Sequence, residues 1–289
     1  MMKLLKITSL LLMVLWLSAC SMGQMVARSS VSILDGAVDA MNRETDLVLA
    51  ESAIPANLKL MEGLIAEDPG NTDLRTYAAQ GFYGYAFGFT ELDDARRASA
   101  LYQRGFDHGV SALQEQGLKI DLQNSHPDKI KNAANKLSNK SVPALFWTAS
   151  NWGKQIDLNR DDPTRLAQMS SVEALMQRVT ELQPDYYYGS AHLFYGVYYG
   201  SRSPMFGGDF KQSELNFNRA RAVSDSKLLI IDVLQAEYLE RQRLNQENFH
   251  RLLTGVIETP VGSFPEMELV NQIARERARF LLEKEGEWF

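Results

Sequence analysis

Seven of the fourteen residues from Tyr186 to Tyr199 are aromatic, in a chain that is 10% aromatic overall. Tyrosine joins an apolar ring to a polar hydroxyl, so such a cluster suits the wall of a partly wet cavity. Tyr188, Tyr195 and Tyr199 recur at helical spacing, with His192 on the same face and Gly189 and Gly196 leaving room beside them. The same spacing suits an aromatic core between stacked helices, where each buried hydroxyl needs a partner. Both readings stand on the sequence. Trp147 and Trp152 lie five apart and project from different parts of one helix, so Trp147 is expected in the core and Trp152 against a cavity. Arg202, flanked by serines ahead of Pro204, has the fork geometry to clamp a carboxylate. The plainer reading, a solvated loop arginine, carries more weight.

Gly207, Gly208 and Asp209 admit two readings as well. Adjacent glycines let a ligand approach the backbone. Asp209 followed three residues later by Gln212 also has the pattern of an N-cap with a capping box, and this local reading is favoured.

Other chemistries lack their residues. His108, His126, His192 and His250 have no metal-ligating neighbour at useful spacing, so no metal is expected. No nucleophile elbow, phosphate-binding loop or dinucleotide fingerprint occurs, and neither enzymatic activity nor a cofactor is expected. The formal charge of −6 argues against nucleic acid, which needs a basic face.

Cys20 is the only cysteine. Lys3 and Lys6 precede an apolar run from Ile7 to Leu17, and Leu17, Ser18, Ala19 and Cys20 then read as a lipobox. Spanning a bilayer needs ~20 apolar residues, so this shorter run reads as a signal peptide. The sequence thus predicts a lipoprotein signal over 1–19, a thioether-linked diacylglycerol on Cys20, a lipidated tether over 20–28 and a single helical domain over 29–289. Two or more acyl chains anchor a protein stably, at ~0.8 kcal/mol per buried methylene. Ser21, where an aspartate would retain the protein in the inner membrane, points to the outer membrane.

The elements that must position these residues read as helices throughout. Met267, Val270, Ile273, Ala274, Ala278, Leu281 and Leu282 share one face, and Phe249, Leu252, Leu253, Val256 and Ile257 repeat the pattern one helix earlier. Breaks are expected at Pro55, 68–71, Pro127, Pro143, Pro163, Pro184, 204–208 and 260–265, leaving about a dozen helices. Sliding the chain by 115 residues aligns 60–106 with 175–221 without a gap: Pro69 meets Pro184, Gly81 meets Gly196, and Asp94 meets Asp209. Ala98, Tyr102 and Gly105 have the small, aromatic, small spacing of a tetratricopeptide second helix, matched by Ser213, Phe217 and Ala220. A more degenerate unit follows from Leu228 to Ile257. The expected fold is all-α, with degenerate tetratricopeptide-like hairpins packed into a compact array.

The segment from Tyr186 to Asp209, the helix holding Phe217, Asn218, Arg219 and Ala220, the aromatic stretch Phe146, Trp147 and Trp152, the lipobox and the closing 274–289 helix together resemble the TRAP transporter TatT component family. Pro204, Gly207, Gly208, Asp209, Lys211 and Phe217 fit the family pattern, while Gln212 and Ser213 depart from its lysine and alanine. The resemblance implies a periplasm-facing lipoprotein that binds the solute-binding subunit of a TRAP uptake system and assembles as a homo-oligomer. With the aromatic cluster, it implies a small amphipathic or hydrophobic ligand in an aromatic-lined cavity. The other reading open to a helical-repeat lipoprotein is a scaffold for outer-membrane or cell-wall machinery, since such repeats form concave protein-binding surfaces.

Overall fold

A computed structural model of the chain describes residues 22–289, so the expected signal segment and Cys20 lie outside the described residues. The described residues form helices and no sheet. In chain order the principal ones are α1 (Met22–Ser29), α2 (Val31–Asn42), α3 (Leu47–Glu67), α4 (Thr72–Phe89), α5 (Ala95–Glu115), α6 (Pro127–Ala134), α7 (Val142–Asp157), α8 (Met169–Leu182), α9 (Tyr186–Gly200), α10 (Phe210–Val223), α11 (Ile230–Gln235), α12 (Gln246–Glu258) and α13 (Glu268–Glu283). A π-helical turn, Ala236–Glu240, carries α11 on toward Arg243. Three turns of chain between helices are 3-10, and the chain ends in a short helix, Glu285–Trp288, that lays Trp288 and Phe289 against Phe249.

The internal repeat is structural. Helix α3 ends at Glu67 and α8 at Leu182, and α5 starts at Ala95 and α10 at Phe210, both 115 residues apart. The units α3–α4–α5 and α8–α9–α10 therefore correspond. Each second hairpin helix is capped alike: Asp94 accepts from the Arg97 N–H at 2.9 Å and Asp209 from the Gln212 N–H at 3.0 Å. Each such cap is worth about 1 kcal/mol, because it satisfies an N–H with no partner inside the helix. Ala98, Tyr102 and Gly105, and likewise Ser213, Phe217 and Ala220, are buried at the hairpin seams. The seam is close enough that a Cβ on Gly196 would come within 2.9 Å of the Phe217 ring.

One of the expected breaks is absent. Pro55 does not end a helix but lies inside α3. Ala50, Leu58, Met61 and Ile65 are buried on both sides of it, and their burial offsets the ~3 kcal/mol that an interior proline costs. Pro127, Pro143 and Pro163 begin helices, in first-turn positions where no N–H is needed. From Met22 on, the stretch expected as a tether is helical: it packs Ala27 inward, and Gln24 and Arg28 donate to the Asp68 carboxylate.

Helix α9 has an unusual start. Tyr187 (φ 47°), Tyr188 (φ 58°) and Gly189 (φ 76°) are all left-handed, so the right-handed helix runs only from Ser190. A left-handed turn costs a non-glycine residue about 1–2 kcal/mol, so the surrounding packing must hold Tyr187 and Tyr188 in place. The Tyr187 ring lies edge-on to Trp147 at 5.0 Å, and the Tyr188 ring edge-on to Phe264 at 5.0 Å.

The buried residues gather into three main clusters: one on α1–α4, one around α7 and α8, and one on α10–α13. Between the three lies an open volume.

Candidate functional site

That volume is a cavity of about 860 Å³, within the range of ligand-binding pockets. All three clusters contribute to its wall: Leu58 and Met61 from the first, Trp147 from the second, Ile230 and Met267 from the third. Aromatic rings form much of it, among them Tyr83, Phe87, Trp147, Tyr187, Phe194 and Tyr198.

The aromatic helix does face this cavity, but not with the residues its spacing suggested. Ser190, Leu193, Phe194, Val197, Tyr198 and Ser201 line it, at steps of three and four. Tyr188, His192, Tyr195 and Tyr199 do not. Because 187–189 are left-handed, Tyr188 does not continue the face of the right-handed helix, and it packs on Phe264. The Tyr195 hydroxyl donates to Glu173 Oε1 at 3.1 Å, and Tyr199 stacks on Tyr195. His192 is half-buried on the α10 side; burial holds its pKa below the usual value, against an opposing hydrogen bond with Asn216.

Trp147 is buried in a core cluster as expected and also borders the cavity, whereas Trp152, expected against a cavity, does not line it. Trp152 is wholly buried, packs on Phe106 at 5.1 Å and donates to Gln168 Oε1 at 3.1 Å. Trp147 forms cavity wall between Tyr83 and Tyr187. Arg202 lines the cavity as well. Its guanidinium lies 4.4 Å from the centre of the Tyr198 ring, and Nη2 donates to the Tyr198 carbonyl at 2.9 Å. Asp209 is the N-cap of α10, but its own N–H donates to the Tyr199 carbonyl at 3.0 Å, so the capping box is closed on one side only. Gly207 is left-handed at φ 84°, and a Cβ on Gly208 would fall 1.9 Å from the Arg202 carbonyl oxygen. The two glycines thus let this loop fold tightly against the arginine.

The sequence reading missed a charged cluster along one wall. Lys154 and Asp157 leave the end of α7, Arg160 follows at the same spacing, and Tyr238 comes from the π-turn. Lys154 Nζ meets Glu91 Oε1 at 2.8 Å, Asp157 Oδ2 at 3.2 Å and the Tyr238 hydroxyl at 3.2 Å. Behind it Arg277 Nη2 reaches Glu91 at 3.0 Å and Glu237 at 2.9 Å, and the Tyr102 hydroxyl donates to Glu91. The extra residue of a π-turn re-aims side chains, and here it turns Glu237 and Tyr238 toward α7 and α13. Its sequence trace is the three-residue spacing of Lys154, Asp157 and Arg160 at the end of a helix otherwise rich in apolar residues.

Burial alone would raise the carboxyls of this cluster. The Lys154 and Arg160 charges and the Tyr238 hydroxyl outweigh it at Asp157 and bring it to about 2. Lys154 and Arg277 likewise hold Glu91 below its ordinary value. Burial alone would lower Lys154, but Glu91, Tyr238 and Asp157 raise it well above the usual ammonium range. Burial pushes Tyr83 up to about 12. Fixed charges of this kind are poorly matched to proton transfer near neutral pH, which needs groups that titrate there. They suit the holding and orienting of a ligand.

Among the described residues no group of three or more His, Cys, Asp and Glu side chains is gathered to hold a metal, and no helix is long and apolar enough to cross a membrane. No curated protein matches the chain. A sequence model of the TRAP transporter T-component family (TAtT) matches residues 43–289. The match takes in both three-helix units and every element of the cavity wall except α2, and the chain belongs to the TRAP transporter T-component family.

Proposed function

We propose that the protein is a lipoprotein that faces the periplasm, anchored through Cys20 in the outer membrane, and that it works beside the solute-binding subunit of a TRAP system. In this reading it receives, holds or hands over a small amphipathic or hydrophobic ligand. The observation that carries the reading is the cavity of about 860 Å³, walled by aromatic and aliphatic side chains from both three-helix units. Apolar volume of this size is costly for a fold to leave unfilled, since side-chain packing normally closes it. Family membership supplies the association with TRAP transport. Lipid anchoring would hold the protein on one surface and raise its effective concentration for a weakly binding partner.

The partner is tested by tagging the chain at its C-terminus, crosslinking lightly in the native envelope and identifying captured proteins by mass spectrometry. A periplasmic solute-binding protein is expected as the main specific capture. Recovery of cell-wall or outer-membrane assembly proteins with no solute-binding protein would overturn this reading in favour of a scaffold.

A further inference from the structure

The charges on the cavity wall are few and one-sided. Its charged residues, among those described, are Lys154, Asp157, Arg160 and Arg202. Three cations thus face one carboxylate, in a chain whose overall charge is −6. They also lie together. Arg160 Nη1 donates to the Ser201 carbonyl at 3.4 Å, which brings the end of α7 to the loop carrying Arg202. The wall contributed by α2 and α3, from Leu34, Val38, Met41, Ile54, Leu58 and Met61, bears no charge.

The ion pairs behind the wall do not restore the balance. Glu91 is shared by Lys154 and Arg277, Glu237 pairs with Arg277, and Asp157 is shared by Lys154 and Arg160. Together with Arg202, the cluster holds four cations and three carboxylates. The surplus falls on Arg202, whose guanidinium has an aromatic face and a backbone carbonyl as partners and no carboxylate within 4.0 Å among the described residues. Asp209, the acid nearest along the loop, spends its carboxylate on the α10 cap and does not line the cavity. An apolar cavity with one uncompensated cation at one end favours a ligand that brings one negative charge there and leaves hydrocarbon for the rest.

From this geometry we infer that the cavity takes a singly charged anionic amphiphile, with its head group on Arg202 beside Arg160 and its hydrocarbon chain running toward α2. The inference rests on the reading of the cavity as a ligand site and adds to it a charge and an orientation. Arg202 presents two N–H groups in one plane to a carboxylate or similar oxyanion, and Ser201 and Ser203 flank it on the wall. A neutral chain of the same length would gain the apolar contact and leave the cation uncompensated. A cationic chain would add repulsion.

The test is a displacement titration on the full chain in nonionic detergent, with protein-free detergent titrated alongside. A neutral environment-sensitive dye, N-phenyl-1-naphthylamine, reports occupation of the cavity, and dodecanoate, dodecanol and dodecylammonium compete with it. Dodecanoate is expected to displace the dye at a concentration at least tenfold lower than dodecanol, with dodecylammonium weakest. Arg202→Gln is expected to remove that preference while leaving dodecanol unchanged, and Arg202→Lys to keep most of it. Equal displacement by dodecanoate and dodecanol, with the dye bound, would overturn the anionic preference and leave the cavity reading intact. A preference that survives in Arg202→Gln would overturn the place given to Arg202. Failure of the dye to bind at all would overturn the cavity reading itself. The comparison of the three competitors on the unmodified chain decides the charge preference without relying on the folding of any variant.

Discussion

The Tyr238 hydroxyl donates to Asp157 Oδ2 at 2.7 Å, tying the π-turn of the C-terminal half to the end of α7. The same carboxylate oxygen receives Lys154 at 3.2 Å. The bond thus joins two halves of the fold at the edge of the cavity. Tyr238→Phe removes one donor to a charged acceptor and keeps the ring. A hydrogen bond of this kind is worth about 1.5 kcal/mol at the low end of its range. Each kcal/mol shifts the midpoint by about 2–4 °C in a domain of this order of size. A melt followed by circular dichroism should therefore show a fall of roughly 3–6 °C. An unchanged midpoint would mean that water replaces the hydroxyl without loss.

Lys154 has a larger stake in the same cluster. It is paired with Glu91 and Asp157, and Glu91 is almost wholly buried. Lys154→Met leaves those carboxylates with one cation fewer, and breaking a buried pair from one side costs about 3–5 kcal/mol. Adding Glu91→Gln should recover part of that loss, because the uncompensated charge goes with it. Denaturant unfolding of the two single variants and the double variant gives the coupling directly. Strictly additive losses would show that the pair contributes nothing as a pair.

Acid should weaken the fold within a defined window. Asp157 is brought from an ordinary 3.8 to about 2, with burial opposing and the Lys154 and Arg160 charges prevailing. Glu62 falls from 4.5 to about 2, with burial again opposing and Lys59, Arg104 and His108 prevailing. Between those values the unfolded chain binds protons that the folded chain does not, so stability increases with pH across the window. The contribution is fully present above about pH 5 and is lost as the pH falls through about 2. Urea midpoints should therefore drop steadily from pH 5 to pH 2.5. Asp157→Asn should flatten that slope, at the cost of lower stability at neutral pH.

Two glycines in helix interiors should respond oppositely to the same change. At Gly196 an added Cβ meets the Phe217 ring at 2.9 Å, inside a seam that has no slack, so Gly196→Ala should cost about 1–3 kcal/mol through overpacking. At Gly63, exposed on α3, nothing lies within 4 Å. Gly63→Ala should stabilise the protein by about 0.5–1 kcal/mol, because alanine loses less backbone freedom on folding. Similar effects at both positions would contradict the close approach of α9 and α10.

Periodicity and turn residues made the scaffold legible from the sequence. The 115-residue repeat, the capping aspartates and the small, aromatic, small spacing on α5 and α10 are local or periodic signals, and each has its structural counterpart. The aromatic content of 186–199 pointed to the right helix and the wrong face. Tyr195 and Tyr199 share one face of the right-handed helix and Phe194 and Tyr198 share another, and spacing alone does not say which of the two turns to the cavity. The charged wall was harder still. Glu91, Lys154, Glu237 and Arg277 come from four elements far apart in sequence, and only folding makes them neighbours. Arg202 stood out in the sequence through its flanking serines and Pro204. Its lack of a carboxylate partner is a property of the folded chain alone.

The two tryptophans separate a buried residue that borders the cavity from one sealed away from it. Trp147 borders the cavity between Tyr83 and Tyr187, so Trp147→Leu removes a ring that a ligand would touch. Trp152 is sealed between Phe106 and Gln168, and Trp152→Leu empties a packed site instead. The second change should cost about 2–5 kcal/mol in stability, the range for emptying a buried large side chain. It should leave dye affinity per folded molecule unchanged. The first should cost less in stability, because the space it opens joins a cavity already present, and should change dye affinity by threefold or more. Both are read in one experiment, as a denaturant midpoint and a dye titration on the same samples. If Trp152→Leu altered dye affinity and Trp147→Leu did not, the wall of the binding cavity would lie on the other side of α7.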